Sequence, residues 1–291
     1  MRIIAEISPS RRDLLLAGIA SSAAPSPGQP MIKQTCSIPR IQITPSVEIS
    51  KVIKGCWQLS GGHRGDSATD RTVGPAAVQD IHTFVNAGIT ALDTADIYGP
   101  SERIIGSYRN SYPEESRNCQ VLTKFCCFGD SMFQAAKRDF VASSVNRSRS
   151  AIGVDSLDCV QFFWADYGVR NYVSAALWLS DLKEEGSVKA VGVYVYCIKS
   201  CNTAACEYAA YSSRLIKPIV CRTNFDVERL DEMVKAGVPI ATNQIQYSLL
   251  DTRPENGMIE YCKQNAIAIL PFGTVAGGFL SDKYLGKSPR E

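Results

Sequence analysis

The chain has 291 residues, enough to bury one large core, and its formal net charge of +2 comes with no basic run, which argues against nucleic acid as a partner. Its eleven cysteines form no C-x-x-C pair, and His63 and His82 are the only histidines. No zinc site of usual spacing is visible, and most of the thiols read as reduced and structural.

Residues 1–45 read as a targeting segment and linker. Ser10-Arg11-Arg12-Asp13 precedes a short apolar run, 14–24, that ends in small residues. Paired arginines before such a run suggest a twin-arginine or thylakoid-transfer signal, hence a plastid address with the thylakoid lumen as one destination. A frayed polar terminus is the plain alternative and would leave the chain cytoplasmic. The run is too short to span a bilayer, and residues 25–30 read as linker.

From residue 52 onward, strands and helices alternate. A strand over 52–59 is followed by a glycine-rich, charged loop, 60–66. The helix over 75–87 starts at proline and carries Val78, Ile81, Phe84 and Val85 on one face. Further strands are predicted at 91–95, 119–125, 157–164, 189–192, 240–248 and 267–274. Helices are predicted at 101–111, 132–152, 171–185, 227–236 and 255–265. This rhythm implies parallel strands joined by right-handed crossovers. No G-x-G-x-x-G occurs, so a Rossmann domain is the weaker reading and a strand-helix barrel of roughly 250 residues the better one.

The stretch G-I-T-A-L-D-T-A-D-I-Y-G-P-S-E-R-I-I-G, residues 88–106, organises the rest. Asp93 and Ala95 share one face of its strand, and the following turn can bring Tyr98 back toward Asp93. An acid and a phenol at the C-terminal end of a barrel strand form an active-site arrangement. The bland alternative is that Asp93 caps a turn and Tyr98 packs beneath it.

D-T-A-D-I-Y-G-P-S-E, followed by V-L-T-K-F at 121–125, resembles the aldo-keto reductase family, whose members reduce carbonyls with a nicotinamide cofactor. The resemblance covers about residues 52–287 with one interruption, and looks closest to a plant and algal branch labelled radial spoke protein 5-like. It implies a (β/α)8 TIM barrel over 46–291. The fifth strand ends at Gly192 and the family pattern resumes at Thr223, so 193–222 stand out as an atypical insert, read as a retained intron or gene-model error, with a redox or metal-binding insertion as the functional alternative. After the seventh strand the family's eighth strand and phosphate-recognising motif are missing, so the barrel is expected to be truncated.

By the same resemblance Tyr98 is the proton donor, Lys124 the ammonium that lowers its pKa, and Asp93 the partner that holds Lys124. A solvated lysine at a strand end is the plain alternative for Lys124. In the family motif Q-F-H-W a histidine orients the substrate carbonyl; here the strand reads Gln161-Phe162-Phe163-Trp164, and Phe163 brings no donor. Thr223, Asn224 and Gln244 match the positions that hold the nicotinamide carboxamide. Phe272 matches the aromatic under its ring, and Gly273 begins the loop beside the pyrophosphate. Trp57 and Trp164 are expected to line the substrate mouth, though core positions are open to both. The implied activity is NADP(H)-dependent reduction of a small aldehyde or ketone to an alcohol. The alternative is a catalytically weak or inactive relative with a binding or structural role. No metal and no membrane span are implied, and partner proteins are not specified.

Overall fold

The structure is a computed structural model that describes residues 37–61, 72–194, 226–276, 280, 282 and 285–286. The predicted targeting run, the loop at 62–71, residues 195–222 of the predicted insert, and Thr223 and Asn224 lie outside the described residues.

The chain enters as an antiparallel hairpin, β1 (Arg40–Thr44) and β2 (Val47–Ser50). Its apolar positions Ile43, Val47 and Ile49 are buried together with Ala91, Leu122, Cys159, Ala190, Ala241 and Leu270. These six come from, or border, six different strands, so the hairpin forms a floor at the N-terminal end of a curled sheet. Polar ties hold it there. Arg40 donates to Thr90 Oγ1 at 2.8 Å and to Glu48 at 2.7 Å, and Ser50 Oγ accepts the N–H groups of Thr90 and Ala91. Residues 40–45 are therefore part of the domain, not linker; the sequence reading missed this short alternating pattern.

Seven strands follow in one parallel sheet, in sequence order: β3 (Ile53–Gly55), β4 (Ala91–Asp93), β5 (Gln120–Cys127), β6 (Cys159–Trp164), β7 (Val191–Tyr194), β8 (Ile240–Gln246) and β9 (Ala268–Phe272). Among the described residues β3 and β9 are the edges and do not pair with each other. Outside the sheet lie α1 (Gly74–Asn86), α2 (Ser101–Ser111), α3 (Pro113–Ser116), α4 (Asp130–Gln134), α5 (Arg138–Ile152), α6 (Tyr172–Glu184), α7 (Val227–Lys235) and α8 (Met258–Gln264).

Strand alternation sorts the side chains into two environments. Leu92, Phe125, Val160, Phe162 and Trp164 point outward and pack with Ile81, Ile105, Val141, Tyr172 and Leu179 of the helices. The intervening positions point into the barrel. Helices α2 and α5 approach so closely that a Cβ on Gly106 would sit 2.3 Å from the Ala151 carbonyl oxygen, so glycine is required there.

Besides shifts of one or two residues at other ends, four differences from the sequence reading stand out. The strand expected over 52–59 stops at Gly55, and Trp57–Ser60 form a 3-10 turn closed by Gly61 in the left-handed region. The helix expected over 132–152 is split, because Lys137, the residue before α5, is extended. The helix expected over 255–265 begins only at Met258, after Gly257 at φ +92°. The fifth barrel strand continues through Val193 and Tyr194, which pair with Asn243 and Gln244. Val193 and Tyr194, counted with the insert in the sequence reading, thus belong to the barrel strand.

Candidate active site

β4 ends at Asp93, and the backbone then turns: Tyr98 N–H reaches the Ala95 carbonyl, and Ser101 N–H reaches the Tyr98 carbonyl. Ser101, at the first position of α2, bonds through its hydroxyl to Thr94 at 2.8 Å and donates to the Cys56 carbonyl at 3.2 Å. Gly99 takes φ +49°, and an added Cβ would lie 2.5 Å from the Ser60 carbonyl oxygen. A side chain at position 99 would push the Tyr98 turn away from the turn at Trp57–Ser60.

Lys124, on the inner face of β5, has its side chain 1% exposed. Its Nζ donates to Asp93 Oδ2 at 2.7 Å and to the Thr94 carbonyl at 2.8 Å. The same nitrogen lies 5.0 Å from the centroid of the Tyr98 ring and 5.2 Å from that of Tyr194. Asp93 is further held through Oδ1, which accepts from Gln161 Nε2 at 2.7 Å and from Gln244 Nε2 at 2.8 Å. The structure thus brings Asp93, Tyr98, Lys124 and Gln244 together, with Gln161 and Tyr194 as members that the sequence reading did not single out. Gln161 stood two residues before Phe163 in the quoted motif; Tyr194 was hidden by being assigned to the insert.

Burial works against the Lys124 ammonium, but Asp93 and Tyr98 outweigh it and leave the pKa above its ordinary value. For Tyr98, burial raises the phenol pKa above 10, and Lys124 offsets only part of that rise. Lys124 acts on Tyr98 in the expected direction, lowering its pKa, but burial outweighs it and the net shift in the chain alone is upward.

Phe163 is 2% exposed and points inward. Its ring lies 4.9 Å from Phe128 and 5.8 Å from Tyr194, and Tyr194 lies 5.7 Å from Phe272. These rings form an aromatic arc beside Lys124. Phe272 is half-buried, and Gly273 adopts φ +68° next to Gln246. Gln246 and Gly273 border an open cleft of about 560 Å³ that also meets Ser248, Asp251 and Arg253.

Trp57 is 40% exposed at the rim. Trp164 does not join it. It is fully buried on the outer face of β6, where Nε1 donates to the carbonyls of Asp166 and Val169 and the ring packs near Phe162 and Tyr172. One step along a strand reverses the side-chain direction, so Phe163 and Trp164 cannot both face the pocket. Asn243 likewise points outward, donating to Met258 Sδ and Cys262 Sγ. Among the described residues no group of three or more His, Cys, Asp or Glu side chains could hold a metal ion, and no helix is long and apolar enough to cross a membrane.

Among curated proteins, the chain is 25% identical over 240 residues to the aldo-keto reductase YhdN of Bacillus subtilis, covering 81% of this chain and 62% of that one. It is 22% identical over 252 residues to an NADH-specific methylglyoxal reductase of Escherichia coli, covering 82% and 67%. It is 27% identical over 218 residues to flagellar radial spoke protein 5 of Chlamydomonas reinhardtii, covering 69% and 39%. The fold is similar to that of a Bombyx mori aldo-keto reductase in complex with NADP, with a TM-score of 0.55, 18% identity, and 87% of this chain and 70% of that one covered. A sequence profile of the Aldo/keto reductase family matches residues 51–221 and 215–291. With that match spanning the whole sheet and its site, the chain belongs to the aldo-keto reductase family.

Proposed function

We propose that the chain is a nicotinamide-dependent carbonyl reductase that converts a small aldehyde or ketone to an alcohol, with NADP(H) as cofactor. The single observation that carries this reading is the buried Lys124 Nζ, bonded to Asp93 at 2.7 Å and set 5.0 Å from the Tyr98 ring at the C-terminal end of the strands. The residues present suit a nicotinamide. Gln244 has its amide nitrogen committed to Asp93, which leaves its carbonyl end for a carboxamide N–H. Phe272 offers a half-buried ring, and Gly273 opens toward the cleft. When bound, the reduced nicotinamide supplies a hydride.

The chain's own residues handle the proton. Burial keeps the Tyr98 phenol protonated, so its oxygen can donate to the alkoxide that develops on the substrate. Lys124, held as an ammonium, stabilises the phenolate left behind, and Asp93 holds Lys124. General acid help of this kind is worth roughly a hundred- to ten-thousand-fold. Phe163 contributes no donor to the carbonyl. That observation favours one second reading, a weak or inactive relative that keeps the pocket for binding; similarity to radial spoke protein 5 supports a structural version of it.

Titrating the purified chain with NADPH and, separately, NADH by nicotinamide fluorescence tests both readings. The reductase reading expects saturable binding and oxidation of the nucleotide by small aldehydes. It also expects Tyr98→Phe to cut turnover about a hundredfold or more while leaving binding intact. Binding without turnover selects the second reading, and binding of neither nucleotide rejects the nicotinamide assignment.

A further inference from the structure

We propose that Gln161 is a positioning residue for proton transfer: with Gln244 it holds Asp93 Oδ1, so that Lys124 meets Oδ2 alone and keeps one N–H for Tyr98. The kinetic part of this inference rests on the reductase reading above; the geometric part does not.

Gln161 sits on the inner face of β6, fully buried and in register with Lys124 on β5. Its Nε2 donates to Asp93 Oδ1 at 2.7 Å, and Gln244 Nε2 donates to the same oxygen at 2.8 Å. Because the acceptor is a carboxylate, both amides must turn nitrogen toward it. At the other end of Gln161, Oε1 is buried with no hydrogen-bond partner among the described residues. The donor end is therefore what holds the side chain in place.

Counting protons at Lys124 gives the consequence. An ammonium has three donors. One goes to Asp93 Oδ2 and one to the Thr94 carbonyl. The third is left for Tyr98, whose acidity Lys124 raises through its charge and a hydrogen bond. Two amides on Oδ1 keep that oxygen from competing for the third proton. They also draw off part of the carboxylate's negative charge. Without Gln161, Oδ1 is freer to capture Nζ and its charge is less shielded, and both effects make Tyr98 harder to ionise. The other groups acting on Tyr98 are Cys126, from β5, and Asp93 itself, from β4; the Tyr194 ring of β7 flanks Lys124 on its other side.

The test uses the cofactor-free chain, labelled with ring-carbon-13 tyrosine. The Tyr98 signal is assigned by its loss in Tyr98→Phe and followed by NMR as pH rises. Gln161→Met removes the donor at similar volume, and Gln161→Glu replaces it with an acid. The proposal expects Tyr98 to begin ionising about half to one pH unit later in Gln161→Met, and at least as late in Gln161→Glu. In turnover assays, kcat of Gln161→Met should fall about tenfold with KM for the carbonyl little changed. An unshifted Tyr98 signal in both variants overturns the proposal, even if kcat falls, because a merely structural glutamine would lower activity without moving that ionisation. If no carbonyl is reduced, the reductase reading fails, and the NMR shift still decides the role of Gln161.

Discussion

Replacing Asp96 with asparagine should stabilise the fold at pH 8 far more than at pH 5. Asp96 follows β4, and its Oδ2 accepts the Cys126 N–H at 3.2 Å. Its Oδ1 is buried with no partner among the described residues, although the residue as a whole is partly exposed. Burial pushes the carboxyl from 3.8 up to about 7, with Glu102 adding repulsion and the Cys126 N–H pulling the other way. The folded chain thus binds this proton more tightly than the unfolded chain does. Stability from Asp96 is fully present below the unfolded pKa, declines as pH rises, and is lost once pH passes about 7. Three pKa units correspond to about 4 kcal/mol as a ceiling, and partial exposure brings a reasonable expectation to about 2 kcal/mol. Asparagine keeps an acceptor for the Cys126 N–H and never ionises. Urea melts of both chains at pH 5 and pH 8 check this. An equal effect of Asp96→Asn at the two pH values would refute the reasoning.

Two further outcomes follow from the placement of the aromatics. Trp164→Ala should cost about 3–5 kcal/mol of stability, since it empties the outer core and removes the indole donor from the Asp166 and Val169 carbonyls, while Trp57→Ala should leave stability within about 0.5 kcal/mol and change KM for the carbonyl. Denaturation midpoints and KM values for both variants decide it; a stable Trp164→Ala chain with altered KM would return Trp164 to the pocket. Phe163→His adds a donor beside Lys124 and should raise kcat about tenfold or more if the missing hydrogen bond limits carbonyl reduction. An unchanged kcat in a folded variant would show that this strand position does not set the rate.

Much of the site was legible because short words carry its geometry. D-T-A-D-I-Y-G places an acid at a strand end and a phenol one turn later, and the structure brings Asp93, Tyr98 and Lys124 to one point as the sequence reading expected. The run of alternating strands and helices was legible for a similar reason: each element carries its own period, and α2 has the predicted bounds, Ser101–Ser111. What escaped was whatever depends on partners far away in sequence. The hairpin at 40–50 is too short to announce itself, and its role as a floor exists only because six strands converge on it.

Side-chain direction was the other hidden quantity. Trp164 looked like a pocket residue beside Phe163, but a pleated strand sends neighbours to opposite faces, and the register of β6 decided which faced inward. Gln161 was visible as a letter, yet its hold on Asp93 depends on three strands meeting across the barrel, as does the second bond from Gln244, which lies 151 residues from Asp93 in the chain. The sequence by itself determined the family, the order of strands and helices, and the residue types able to move a proton, since these are local or carried by motif. Only the tertiary structure decided that burial outweighs Lys124 at Tyr98, and that two amides share one carboxylate oxygen. Desolvation and long-range hydrogen bonds come into being only when the strands curl around a common axis.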